Sequence, residues 1–211
     1  MGYGSTMPAR DRRLMHIGAV IAQSARPQRA SPAAAGATTC TSASVVQVEQ
    51  SVKDSTISAE VDGFPFVTYC YGSELSRPFL FPVHGPRGGP VLTRPHQPDD
   101  GEHPHQKGVW CAVDEVNGIR FWGERQVPEN VKHWPQGKIE CRSITCSGSG
   151  TAAATLQIKN EWLGADGSVL LEHTVLTVHA NHFLEYSVTL TAPGSHDVTF
   201  GDTKEGFFGI R

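Results

Sequence analysis

The sequence predicts an all-β protein, an antiparallel β-sandwich, on three observations. Short runs rich in β-branched and aromatic residues recur from about residue 45 onward, separated by Gly and Pro turn signals. The second half reads as four consecutive strands joined by short turns. No segment sustains an apolar stripe of period 3.6 for three turns, so helices have no sequence support.

The elements follow in order. Thr56 to Val61 alternates in polarity, Asp62-Gly63 offers a tight hairpin turn, and Phe64 to Tyr69 returns along the first run. Residues 78–98 carry six of the fourteen prolines and read as loops with brief extended pieces. Gly108 to Val113 is apolar and strand-like, and Asn117-Gly118 signals a second turn before Ile119 to Trp122. Lys138 to Thr145, Thr151 to Leu163, Ser168 to His179 and His182 to Leu190 then form a meander. In its last run Phe183, Glu185, Ser187 and Thr189 take one face while Leu184, Tyr186, Val188 and Leu190 take the other. The final residues, Glu205 to Arg211, read as a strand cut short. They predict a C-terminally truncated frame and association of copies through an open edge.

Composition sets the bounds. A chain of 211 residues with 38% hydrophobic and 18% charged residues accommodates one core-bearing domain and a tail. A net charge of -3 without clustered Lys and Arg argues against a nucleic-acid partner. No run approaches about 18 uninterrupted apolar residues, so no spanning helix and no membrane partner are expected. Of the five cysteines, Cys70 and Cys111 sit in strand contexts and read as small core residues. Cys141 and Cys146, read as flanking a short hairpin, leave one disulfide open.

At the amino terminus Arg10, Arg12 and Arg13 precede the apolar run Leu14 to Ala22 and the small residues Ser24 and Ala25. That is the order of an export signal, which would make the protein periplasmic or secreted. A disordered leader on a cytoplasmic protein is the alternative. Residues 26–50 are rich in Ala, Ser, Thr and Pro and read as linker. The division expected is therefore a leader and linker over 1–44, contributing nothing to the core, and a sandwich domain over 45–211.

The residues with chemical potential cluster around His103-Pro104-His105. In an extended segment residues two apart project to one side, so the two imidazoles can share a metal ion. Asp99, Asp100 and Glu102 add carboxylates immediately upstream. The candidate metal set is His103, His105, Asp100 and Glu102, and the divalent ion is open between Zn and Ca. A solvated polar loop is the alternative. The lactonase-type pattern His-x-His-x-Asp-His begins in the same way and fails at Lys107 and Gly108.

A second cluster, Asp202-Thr203-Lys204-Glu205-Gly206, offers a base and an oxyanion-stabilising cation, or else an ordinary charged turn. Trp110, Phe121, Trp122 and Trp134 flank the His loop in sequence. Trp122 and Trp134 are candidate platforms for a sugar or acyl ring, with core packing as the alternative. His173, His179 and His182 read as surface or satisfied side chains rather than ligands.

Three of these stretches together carry a resemblance. His103 to Trp110, Val116-Asn117-Gly118-Ile119-Arg120-Phe121-Trp122 and Asp202 to Arg211, with Asn160-Glu161-Trp162 between them, resemble a bacterial domain family labelled methane oxygenase PmoA. The likeness runs from about Val61 to the end. This chain has Glu102 where members usually have Asp and Gln106 where they often have a third His, which weakens a three-His site. Members normally continue beyond the Lys-Glu-Gly strand. The membrane enzyme of that label needs spanning helices, which this sequence lacks. The resemblance implies a soluble protein and, through neighbouring sugar-handling genes, a carbohydrate or small polyhydroxylated ligand.

The function expected is metal-assisted hydrolysis of a small cyclic ester (a lactone) or a carbohydrate-derived substrate. His105 or Glu205 would move the proton, Lys204 would stabilise negative charge, and Trp122, Trp134 and Asn117 would bind substrate. A non-catalytic carbohydrate-binding sandwich is the second reading and a copper-dependent oxidase the third. The two polar clusters, at His103–His105 and Asp202–Glu205, are expected to converge in space.

Overall fold

Asp62-Gly63 and Asn117-Gly118 each place two successive residues at positive φ, 53° and 79° in the first turn and 52° and 78° in the second. That backbone matches the right-handed twist of paired strands, and Asn, Asp and Gly are the residues that tolerate it. Each turn opens a hairpin where the sequence signals one. The structure, a computed structural model, describes residues 5–7, 13–22, 43–94, 105–124, 135–195 and 197–211. For 5–7 and 13–22 the description is of the backbone.

The strands are β1 (Ser5–Met7), β2 (Arg13–Ala22), β3 (Val46–Ser51), β4 (Thr56–Val61), β5 (Phe64–Cys70), β6 (Phe79–Val83), β7 (Val109–Cys111) and β8 (Glu115–Val116). They continue as β9 (Ile119–Arg120), β10 (Lys138–Ser147), β11 (Ala153–Gly164), β12 (Gly167–His179), β13 (Phe183–Thr191), β14 (Val198–Phe200) and β15 (Phe208–Ile210). One sheet has the order β10-β11-β12-β13-β2, a second the order β15-β7-β6-β5-β4-β3, and a smaller third the order β1-β14-β8-β9. The named strands pair antiparallel throughout. Among the described residues the one helical turn is a 3-10 turn at Pro86–Gly88. No helix there is long and apolar enough to cross a membrane. The class is all-β.

Alternation decides which face is buried. In β13 Leu184, Tyr186, Val188 and Leu190 are buried, as the sequence pattern predicts. Ile158 and Trp162 of β11 and Leu170, Leu176 and Val178 of β12 join them. Ile57, Val61, Phe66, Tyr69 and Leu80 are buried in the second sheet. Contacts across the sandwich tie the layers: the rings of Tyr186 and Phe208 meet edge to face at 5.3 Å, and Asn160 reaches the Tyr69 hydroxyl at 3.4 Å. Each large apolar side chain so buried contributes on the order of 2 kcal/mol, which offsets the entropy of ordering the strands.

The segment expected to contribute nothing to the core supplies backbone pairing: β2 pairs with β13 from Phe183↔Ala22 to Thr191↔Arg13, and β1 pairs with β14. A strand edge presents a row of unpaired N–H and C=O groups, and the ten-residue run Arg13–Ala22 is long enough to pair with it. The disulfide left open between Cys141 and Cys146 does not form. Both cysteines are free and lie on the single strand β10, not on two arms of a hairpin. Five residues of extended chain separate them by roughly 16 Å, well beyond disulfide reach.

Candidate functional site

Arg77 leads into β6 from the turn after Gly72, a segment anchored where the Ile139 N–H donates to the Ser76 carbonyl at 2.9 Å. Its side chain then runs inward and is only 1% exposed. Nη1 donates to the carbonyls of Phe121 (3.2 Å) and Trp122 (2.7 Å), and Nη2 donates to the carbonyl of His105. The same Nη2 lies 3.5 Å from Glu124 Oε1, and the guanidinium sits over the Trp110 ring at 5.7 Å. Burial lowers the Arg77 pKa to about 10, against the pull of the Glu124 carboxylate.

Those acceptors belong to the stems of two different segments. The first stem closes at Arg94 and Gly108, where the Gly108 N–H donates to the Arg94 carbonyl at 3.0 Å and the Arg211 N–H to the Gly108 carbonyl at 2.9 Å. Gly108 has φ 60°, and a Cβ there would lie 1.9 Å from the Leu80 carbonyl oxygen. No side chain fits. The second stem closes at Arg120, whose N–H donates to the Pro135 carbonyl at 2.8 Å and whose carbonyl accepts from the Gly137 N–H at 2.7 Å. One buried arginine thus fastens the His105 stem to the Phe121–Glu124 stem.

Lys107 completes the cluster. Its Nζ lies 2.8 Å from Glu124 Oε2 and 5.1 Å from the centre of the Phe79 ring, and its side chain is 7% exposed. Arg211 Nη1 donates to Gln106 Oε1 at 3.1 Å beside it. Around this cluster several buried polar atoms have no hydrogen-bond partner among the described residues: the indole N–H groups of Trp110 and Trp122, and Glu124 Oε1. Buried polar atoms are paired in most folded proteins, so the two indole donors are exceptions, while Glu124 Oε1 keeps its ion pair with Arg77.

A second buried network stands in the core. Glu172 of β12 accepts from Asn160 Nδ2 (2.7 Å), Trp162 Nε1 (2.7 Å) and Thr174 Oγ1 (2.6 Å). Burial raises the Glu172 pKa, and these three donors oppose that rise. Glu172 and Asn160 are each 4% exposed, and both also contribute to the lining of a cleft behind them. On the outer face of the β10–β13 sheet lies a shallow cleft of about 420 Å³, whose lining includes Arg142, Lys159, Glu161, Leu171, His173 and Thr191.

The residues singled out in the sequence fall as follows. His105 stands at the stem just described, with its carbonyl held by Arg77. His103, Asp99, Asp100, Glu102 and Trp134 lie outside the described residues. Among the described residues no group of three or more His, Cys, Asp or Glu is placed to hold a metal ion. Lys204 and Glu205 meet each other at 3.8 Å with the Lys204 side chain 91% exposed.

Their segment, 202–206, is pinned at both ends beside β7 and β8. The Gly201 N–H donates to the Glu115 carbonyl at 3.0 Å, and the Ala112 N–H to the Phe207 carbonyl at 3.2 Å. Antiparallel pairing of β15 with β7 therefore brings Arg211 to the His105 stem and carries Lys204 and Glu205 toward the other end of the strand. Trp122 is 6% exposed, with its ring 5.2 Å from that of Trp110, which is a core position rather than an open platform. Asn117 forms the β8–β9 turn, and its Oδ1 accepts from the Thr199 N–H at 2.8 Å.

Sequence reasoning missed Arg77, Glu124 and Glu172, and gave Lys107 no chemical role of its own. Glu172 did carry a signal, since it shares the inward alternation of Leu170, Thr174 and Leu176. Arg77 and Glu124 lie in irregular segments, where no periodicity marks a buried charge.

Comparison with protein families matches residues 56–211 to a family described as a family of unknown function (DUF6807). No curated protein and no solved structure matches the chain.

Proposed function

The chain belongs to the DUF6807 family, and we propose that it is a metal-assisted hydrolase acting on a small lactone or a related carbohydrate-derived ester, with its site at the joined stems of the His loop. One observation carries the reading: Lys107, Arg77 and Glu124 form a nearly dry charged cluster against His105, where charge developing on a substrate is felt strongly.

Lys107 takes the role first expected of Lys204, because it is buried beside a carboxylate while Lys204 projects into solvent. In this reading water adds to the acyl carbon, and negative charge gathers on the carbonyl oxygen, facing the Lys107 ammonium. Glu124, or His105 when its ring is not a ligand to the ion, accepts the proton from water and returns it to the leaving alkoxide as the ring ester bond breaks. A divalent cation, Zn or Ca, would polarise the carbonyl when bound. His103, His105, Asp100 and Glu102 remain the residues proposed to hold it, and Arg77 fixes the backbone from which His105 projects.

Turnover of chromogenic esters, lactones and aryl glycosides, with and without chelator, tests the proposal, alongside elemental analysis of the purified protein. Lactone turnover that falls with chelation and with Lys107→Ala supports it. Turnover indifferent to both sinks it. A non-catalytic carbohydrate-binding role is the second reading, favoured by the outer cleft with exposed Leu171 among polar side chains. Sugar binding lost on changing Arg142 or His173, in a protein without turnover, would support it instead.

A further inference from the structure

We infer that the His-loop stem takes a carboxylate-bearing ligand, a sugar acid or its ring-opened hydroxy acid, held by Lys107 and the indole N–H groups of Trp110 and Trp122. The inference rests on the hydrolase reading for its place in a reaction, since lactone opening yields a hydroxy carboxylate, but its physical basis is separate.

The first support is charge. Two buried cations, Arg77 and Lys107, share one carboxylate, Glu124, among the described residues that pair with them. A buried charge without a partner is costly, so described side chains that set two cations against one carboxylate favour an anionic ligand over a neutral sugar.

The second support is the donor count. The Arg77 N–H groups already serve three carbonyls, so this side chain is structural. Lys107 carries three N–H donors, and Glu124 is the one hydrogen-bonding acceptor it meets among the described residues. The Trp110 and Trp122 indoles, 2% and 6% exposed, add two N–H groups without acceptors. The unpaired groups are mostly donors, and what they lack is acceptor oxygens. A carboxylate supplies two oxygens that accept in several directions, and sugar hydroxyls supply further acceptors.

Calorimetric titration of the full chain at low salt, with gluconate, glucuronate, glucose and inorganic phosphate as probes, tests this. Gluconate or glucuronate should bind at least about tenfold more tightly than glucose or phosphate, the scale of a hydrogen bond to a charged group. Lys107→Met should abolish that preference. Glu124→Gln should strengthen carboxylate binding, because it removes the internal anion that competes for Lys107.

Equal or tighter binding of glucose or phosphate, no binding of any probe, or weaker carboxylate binding in Glu124→Gln would each overturn the inference. If Lys107→Met does not fold, the probe comparison and Glu124→Gln still decide. Turnover of neutral lactones without carboxylate binding would overturn this inference and keep the hydrolase reading. Carboxylate binding in a protein that opens no ester would do the reverse.

Discussion

Glu124 Oε2 lies 2.8 Å from Lys107 Nζ, and the other oxygen of that carboxylate lies 3.5 Å from Arg77 Nη2. The three side chains come from separate segments and are at most 13% exposed. The pairing makes Arg77 a hub, because the same guanidinium also holds the backbones of both stems.

Removing the hub should be severe. Arg77→Ala leaves Glu124 with half its ion pairing and three carbonyls without their donor. Loss of one partner from a buried pair typically costs about 3–5 kcal/mol, so urea unfolding should show a drop of that order. Arg77→Lys should recover only part of it, since an ammonium does not reproduce the planar fork that spans both stems. A drop under about 1 kcal/mol for Arg77→Ala would mean that the hub is not structural.

Glu172 makes stability depend on pH with a definite sign. Its folded pKa is raised above the ordinary 4.5 by burial. Between the ordinary and the raised value the folded state holds a proton that the unfolded state has released. Stability should therefore fall as pH rises through that window. Urea midpoints measured upward from pH 4.5 should decline in the native chain and decline less in Glu172→Gln. Glu172→Leu should be the less stable of the two variants at every pH, because it strands the donors of Asn160, Trp162 and Thr174.

Asn117 separates a turn role from a ligand role. Asn117→Gly keeps the positive φ and loses the hydrogen bond to Thr199, a cost of about 1 kcal/mol. Asn117→Ala loses the bond and also strains the turn, so it should be destabilised more. Both should leave ligand affinity intact in calorimetry. Affinity lost in Asn117→Gly without a matching loss of stability would restore the substrate role.

The β2–β13 pairing predicts the outcome of truncation. Without residues 1–42 the β13 edge loses the partner it has from Phe183 to Thr191. Melting temperature should fall, and light scattering should report association of copies through the open edge. An unchanged, monomeric truncated protein would show that the leader contributes nothing, as its composition alone suggests.

The sheet framework is legible along the chain. Asp62-Gly63 and Asn117-Gly118 mark hairpins because few residues tolerate two successive positive φ values. The alternation of Leu184, Tyr186, Val188 and Leu190 marks the inner face because a strand has period two. These are local rules, legible from neighbours in the chain. The site is not legible in that way. Arg77, Lys107 and Glu124 sit in segments with no period, and their pairing depends on how two stems close against β6 and β7. The same folding sent Lys204 and Glu205 along β7 away from His105 and brought Arg211 there instead, because antiparallel register, not motif order, sets which ends of two strands meet.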